Sequence, residues 1–252
     1  MIVEICCGTL ASVLAAKEGG ATRIELCSGL SEGGLTPSFG LIKAAVDAGI
    51  PQVNVLIRPR SGDFLYSEEE IKLMINDIKK AIEIGASGIV IGVLTENGDV
   101  DVAACRRLIE AANFAAEVHR KAKPYITFHR AFDVSRDAKA SLEAVISLGA
   151  DCILTSGMAP SAVKGIPVIK KLVDLAEDRV TIMAGAGINA SNAADIVAAT
   201  GVAAIHSTAR KPVASRMKFR RPLVPMGAPG SDEYAPLSTS PDIVRKLLTI
   251  GN

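Results

Sequence analysis

At 252 residues, 49% of them hydrophobic and only 4% aromatic, the chain can bury one large aliphatic core of the kind that coats parallel sheets. A formal net charge of +1 excludes a bulk electrostatic pull toward nucleic acid or a membrane surface. No apolar run approaches a membrane span, the opening MIVEICC carries Glu4 and does not read as a signal peptide, and five cysteines without a C-x-x-C fit a reducing cytosol.

Taken in order, the chain alternates strand and helix patterns. Strands read at Ile2–Cys6, Arg23–Cys27, Gln52–Arg58, Gly88–Gly92, Tyr125–His129, Cys152–Thr155, Thr181–Gly185 and Ala203–His206. Helical periodicity falls between them at Leu10–Lys17, Phe39–Asp47, Glu68–Ile84, Val102–Lys121, Ala138–Leu148, Val168–Leu175 and Ala190–Ala199. Gly20, Gly49, Gly85, Gly149 and Gly201 each stand where a helix closes before a strand, the usual place for a left-handed cap. Eight such units predict a single-domain TIM (β/α)8 barrel over residues 1–252. A doubly wound sheet fits the alternation too, but no G-x-G-x-x-G follows the first strand. A last helix is expected near Asp242–Thr249, after a long segment, residues 207–241, without predicted structure of its own. That segment holds half of the twelve prolines and the basic run Arg216, Lys218, Arg220 and Arg221, and reads as a lid, an oligomer arm or a solvated loop.

Strand side chains alternate, so the two faces of each strand can be compared. Val3, Ile5, Ile24, Leu26, Val53, Val55, Ile57, Ile126, Phe128 and Ile205 suit the face that meets the helices. The inward set is then Glu4, Cys6, Glu25, Cys27, Asn54, Arg58, Thr127, His129 and His206. Unpaired buried charges are costly, so Glu4 and Glu25 are expected to pair with Arg58 and the histidines in one cluster at the strands' C-terminal ends. Glu4, Glu25, Arg58 and His129 are accordingly the candidate catalytic groups, because crowded carboxylates push one another's pKa values apart.

Several motifs carry a resemblance. RIELCSGLSEGGLTPS (Arg23–Ser38), IRPRSGDFLYS (Ile57–Ser67), FHRAFD (Phe128–Asp133), ILTSG, IMAGAGI, HSTAR, MKFR and MGAPGSDEY together resemble the CutC copper-homeostasis family. The resemblance runs over nearly the whole chain. It implies a cytosolic TIM barrel, usually a homo-oligomer, connected with copper. It also implies Cu(I) binding through cysteines at the ends of the first two strands, here Cys6 in VEIC and Cys27 in IELC.

Physical chemistry allows that role, since thiolates are soft ligands suited to Cu(I) and neighbouring strands place equivalent residues side by side. Simple packing is the other reading of buried thiols, and it is the one taken for Cys7, Cys105 and Cys152. An enzyme acting on a phosphorylated or carboxylated metabolite is the alternative function. Gly185 and Gly187 after the seventh strand, with Ser207 and Thr208 after the eighth, occupy the usual phosphate position of barrels, and Asn189-Ala190-Ser191 would open the next helix. Arg58 and Arg60 are expected to hold a second anionic group.

Overall fold

A computed structural model of the protein describes residues 1–251 apart from 222, 225–231 and 233. Eight parallel strands close into a barrel in sequence order. They are β1 (Ile2–Cys7), β2 (Arg23–Leu26), β3 (Gln52–Leu56), β4 (Gly88–Ile91), β5 (Tyr125–Phe128), β6 (Cys152–Thr155), β7 (Thr181–Ala184) and β8 (Ala204–Ser207). Between them run α1 (Leu10–Glu18), α2 (Phe39–Asp47), α3 (Glu68–Ile84), α4 (Val102–Val118), α5 (Ala138–Ser147), α6 (Ile166–Ala176) and α7 (Ala193–Thr200). The TIM barrel expected from the alternation is therefore the fold.

Local signals explain the elements. In α3, Ser67 and Glu70 form a reciprocal capping box, Glu68–Glu70 place negative charge at the helix start, and Ile71, Met74, Ile78, Ala81 and Ile82 make the buried stripe. All five glycines expected beyond helix ends have positive φ, from +70° to +120°, which a side chain would resist. The outward residues of the strands join the helices in one continuous core.

Three expectations need correction. Helix α7 begins at Ala193 rather than Ala190, because Asn189 and Ser191 are spent in a local turn: Asn189 Oδ1 accepts from the Ser191 N–H at 2.9 Å. The barrel interior is only partly ionic. Leu56 and Val90 pack there with the two strand-end thiols, and Cys152, Leu154, Met183 and Ala204 form a second apolar layer. Finally, the segment after β8 has structure at both ends. Its strands β9 (Arg210–Pro212) and β10 (Leu237–Thr239) pair antiparallel and lead into α8 (Pro241–Leu248). The motif MGAPGSDEY lies largely outside the described residues. Among the described residues no helix is long and apolar enough to cross a membrane.

Candidate functional site

The strand register decides which interior groups meet. Cys6 stands opposite Glu25 and Glu25 opposite Asn54, so these three share a height on β1, β2 and β3. On the other side of β1, Glu4 stands opposite His206 of β8.

Glu4 is fully buried and fully engaged. One carboxylate oxygen accepts from Arg23 Nε at 2.7 Å and from Asn54 Nδ2 at 3.0 Å; the other lies 3.0 Å from His206 Nδ1. Burial alone would raise its pKa, but His206 and Arg23 outweigh it and hold the carboxyl at about 2. Glu25 moves the other way. Desolvation pushes its pKa up, only partly offset by His206, and the neighbouring Glu4 charge adds to the rise. His206 bridges the two acids, its Nε2 lying 3.7 Å from Glu25. Desolvation alone would lower its pKa, but the two carboxylates more than reverse this and favour the imidazolium.

The pairing with Arg58 expected from the sequence does not form. Arg23, pointing inward from β2, takes the role, and its guanidinium also stacks 4.2 Å from the Tyr125 ring. Arg58 lies beyond the end of β3 and donates instead to the carbonyls of Glu32, Gly34 and Gly62.

Cys6 and Cys27 do come together, with sulfurs 3.7 Å apart and Cys6 Sγ 3.3 Å from Glu25. The hydrogen bond with Cys27, then burial and the Glu25 charge, raise the Cys6 pKa well above the usual thiol value. Cys6, Glu25 and His206 each offer a ligand atom, all within 4.8 Å of one another. Cys7, Cys105 and Cys152 are buried, Cys7 and Cys105 in the sheet–helix core and Cys152 inside the barrel.

Cys6, Glu25, Cys27 and His206 open onto a cavity of about 530 Å³ at the C-terminal ends of the strands. Arg58, His129, Gly187, Ser207 and Thr208 also line it. Not every residue of the expected anion site offers a donor there. Gly185 uses its N–H on the Thr155 carbonyl, Ser207 donates its hydroxyl to Ile188 O, and Arg60 is held by Glu70 and Asp63 away from the cavity.

Sequence reading missed Asp133, which also lines the cavity. Its carboxylate accepts from Thr155 Oγ1 at 2.5 Å, Ser156 Oγ at 2.8 Å and Arg130 Nε at 2.7 Å, and from the N–H groups of Ser156 and Met158. It thereby ties the turn after β5 to the turn after β6. The available signal was the Asp of FHRAFD facing the Thr-Ser pair of ILTSG.

Comparison with known proteins agrees on one family. A family profile described as "CutC family" matches residues 1–211. A CutC family protein of Chromobacterium violaceum is 46% identical over 246 residues, covering 98% of this chain and 96% of that protein. One from Parabacteroides distasonis is 47% identical over 251 residues, covering 98% and 99%. A crystal structure of a candidate copper homeostasis protein, CutC from Streptococcus agalactiae, superposes with a TM-score of 0.75 at 35% identity, over 82% of this chain and 98% of that one.

Proposed function

Given that this chain belongs to the CutC family, we propose that it handles copper by holding Cu(I) between Cys6 and Cys27 in the mouth of the barrel. The supporting observation is the 3.7 Å separation of two buried sulfurs at the ends of adjoining strands, which a single soft ion bridges with little backbone movement. Copper here is cargo. Binding must release the thiol protons, and the raised Cys6 pKa makes loading tighter as pH rises. Glu25 and His206 stand close enough to Cys6 to receive a proton or to add a third donor. An anaerobic Cu(I) titration against a competing chelator tests this. The tightest site is expected to vanish in the Cys6→Ser, Cys27→Ser double variant; unchanged stoichiometry and affinity would remove both residues from any copper role.

A second reading, acid–base chemistry on a small anionic metabolite, has its own support. Glu4 and Glu25 share one imidazole, yet their surroundings push the two carboxyls in opposite directions, the arrangement that separates an acid from a base. On this reading Glu25→Gln abolishes turnover while leaving thiol-bound Cu(I) in place, and retained turnover would exclude Glu25 as the proton carrier.

A further inference from the structure

The cavity wall formed by the loops after β3 and β5 has a different chemistry from the thiol wall. Arg58 is 6% exposed, yet among the described residues no carboxylate pairs with it. Its Nη1 donates to the carbonyls of Glu32 at 2.8 Å and Gly34 at 2.9 Å, its Nη2 to that of Gly62 at 2.9 Å, and its Nε has no partner. Three peptide dipoles steady the guanidinium without cancelling its charge, and a buried charge without a counterion is costly.

His129 lies on the same wall. Its Nδ1 accepts from the Ala131 N–H at 3.1 Å, so the neutral ring must carry its proton on Nε2. That Nε2–H is buried and has no acceptor. Nor is the position accidental in packing terms. A Cβ at Gly92 would stand 2.4 Å from the His129 ring, so glycine at the end of β4 is what lets the imidazole lie there. The half-buried Phe64 ring covers both groups, 5.1 Å from Arg58 and 5.0 Å from His129, and itself lines the cavity.

We propose that Arg58 and His129 form a carboxylate-binding subsite of this cavity, which takes a small organic acid whose two oxygens each receive one of the orphaned N–H groups. A structural clamp between loops accounts for the three carbonyl bonds of Arg58 and for the approach of the buried Tyr66 hydroxyl to its side chain, but not for a buried His129 donor left without an acceptor beside one uncancelled positive charge. One charge and two donors match a planar monoanionic head group; a phosphate dianion asks for more of both. The cavity has the size of a small-metabolite site, and Cys6, Glu25 and His206 would face the remainder of the molecule. The subsite does not depend on whether the thiols carry copper.

The test uses the full chain labelled with ¹⁵N and titrated with acetate, succinate, malate and citrate, with phosphate and sodium chloride in parallel arms. The Arg58 Nε–H and His129 Nε2–H cross-peaks, assigned through Arg58→Lys and His129→Asn, should move together and saturate with at least one carboxylate at about millimolar concentration or below. Arg58→Lys should weaken that binding about tenfold, because a single ammonium cannot hold the three carbonyls and still present a donor at the position of Nε, and should leave the Cu(I) titration unchanged. If no carboxylate shifts both signals beyond the chloride control, or if phosphate alone does so, the subsite as proposed is refuted. Through-bond side-chain correlations in ¹³C,¹⁵N-labelled wild-type protein give the same assignments, so the wild-type titration decides this even if a variant fails to fold.

Discussion

In mild acid a single imidazole, that of His129, should draw stability from this protein. In the unfolded chain His129 takes up a proton near pH 6.5, whereas in the fold burial, then the Arg58 charge, push its pKa down to about 3. Between those values the unfolded chain binds a proton that the native one refuses, so stability falls as pH falls. At pH 5 the gap from the unfolded value is about 1.5 units, or ~2 kcal/mol, and near pH 3 the full shift approaches ~5 kcal/mol. Other groups act in the same range. His206 and Glu25 have raised pKa values, and their contributions strengthen as pH falls; Glu4 works with His129, but only below its unfolded value of 4.5. Net stability alone is therefore a poor readout, and the difference between wild type and His129→Asn isolates the effect. Urea unfolding at pH 7 and pH 5 should show wild type losing about 2 kcal/mol more than the variant across that interval. With only three histidines in the chain, imidazole C–H signals can be assigned by substitution and followed directly. A His129 signal titrating near pH 6.5, or equal losses in both proteins, would refute the argument.

Two further outcomes follow from close contacts. Glu4→Gln leaves Arg23 buried without its counterion and should cost about 3–5 kcal/mol in thermal unfolding, with part recovered when Arg23→Met is added; a loss under ~1 kcal/mol would mean the cluster does not organise the barrel. A Cβ at Gly165 would sit 1.8 Å from the Ser156 carbonyl oxygen, backbone against backbone, whereas nothing lies within 4 Å of one at Gly40 in α2. Gly165→Ala should therefore lose at least ~3 kcal/mol or fail to yield folded protein, while Gly40→Ala stays within ~1 kcal/mol of wild type or gains, as measured by circular dichroism melts.

How much of this was legible beforehand depends on the kind of pattern involved. VEIC, RIELC and QVNV alternate cleanly, so the inward set of Glu4, Cys6, Glu25, Cys27 and Asn54 could be read from period two alone. Partner choice could not. Whether Glu4 meets Arg23 or Arg58 depends on the stagger of neighbouring strands and on where the chain leaves the sheet, and β3 ends at Leu56, two residues before Arg58. Asp133 stands on a short 3₁₀ turn with no periodicity to mark it. The ribbon of β9 and β10 escaped for a related reason: three-residue strands such as Arg210–Pro212 are too short and polar to show an alternation.

That ribbon also changes what the C-terminal helix depends on. Beyond the ladder of β9 with β10, Val213 N–H bonds to Pro236 O and Ser215 N–H to Tyr234 O, and Ser240 N–H returns to Ala209 O. Val244 and Leu247 of α8 are wholly buried, and Val244 presses so near the end of α1 that a Cβ at Gly19 would stand 2.6 Å from it. The exposed basic residues Arg216 and Lys218 lie just past this closed loop of contacts. A protease cutting there would part the chain without parting the molecule, because the released fragment is still knitted to the barrel by strand pairing and a buried helix face. The covalent path through the segment is thus dispensable to the fold once folding is complete: after the ribbon has paired and α8 has docked, continuity is supplied by hydrogen bonds and a buried helix face rather than by the chain itself.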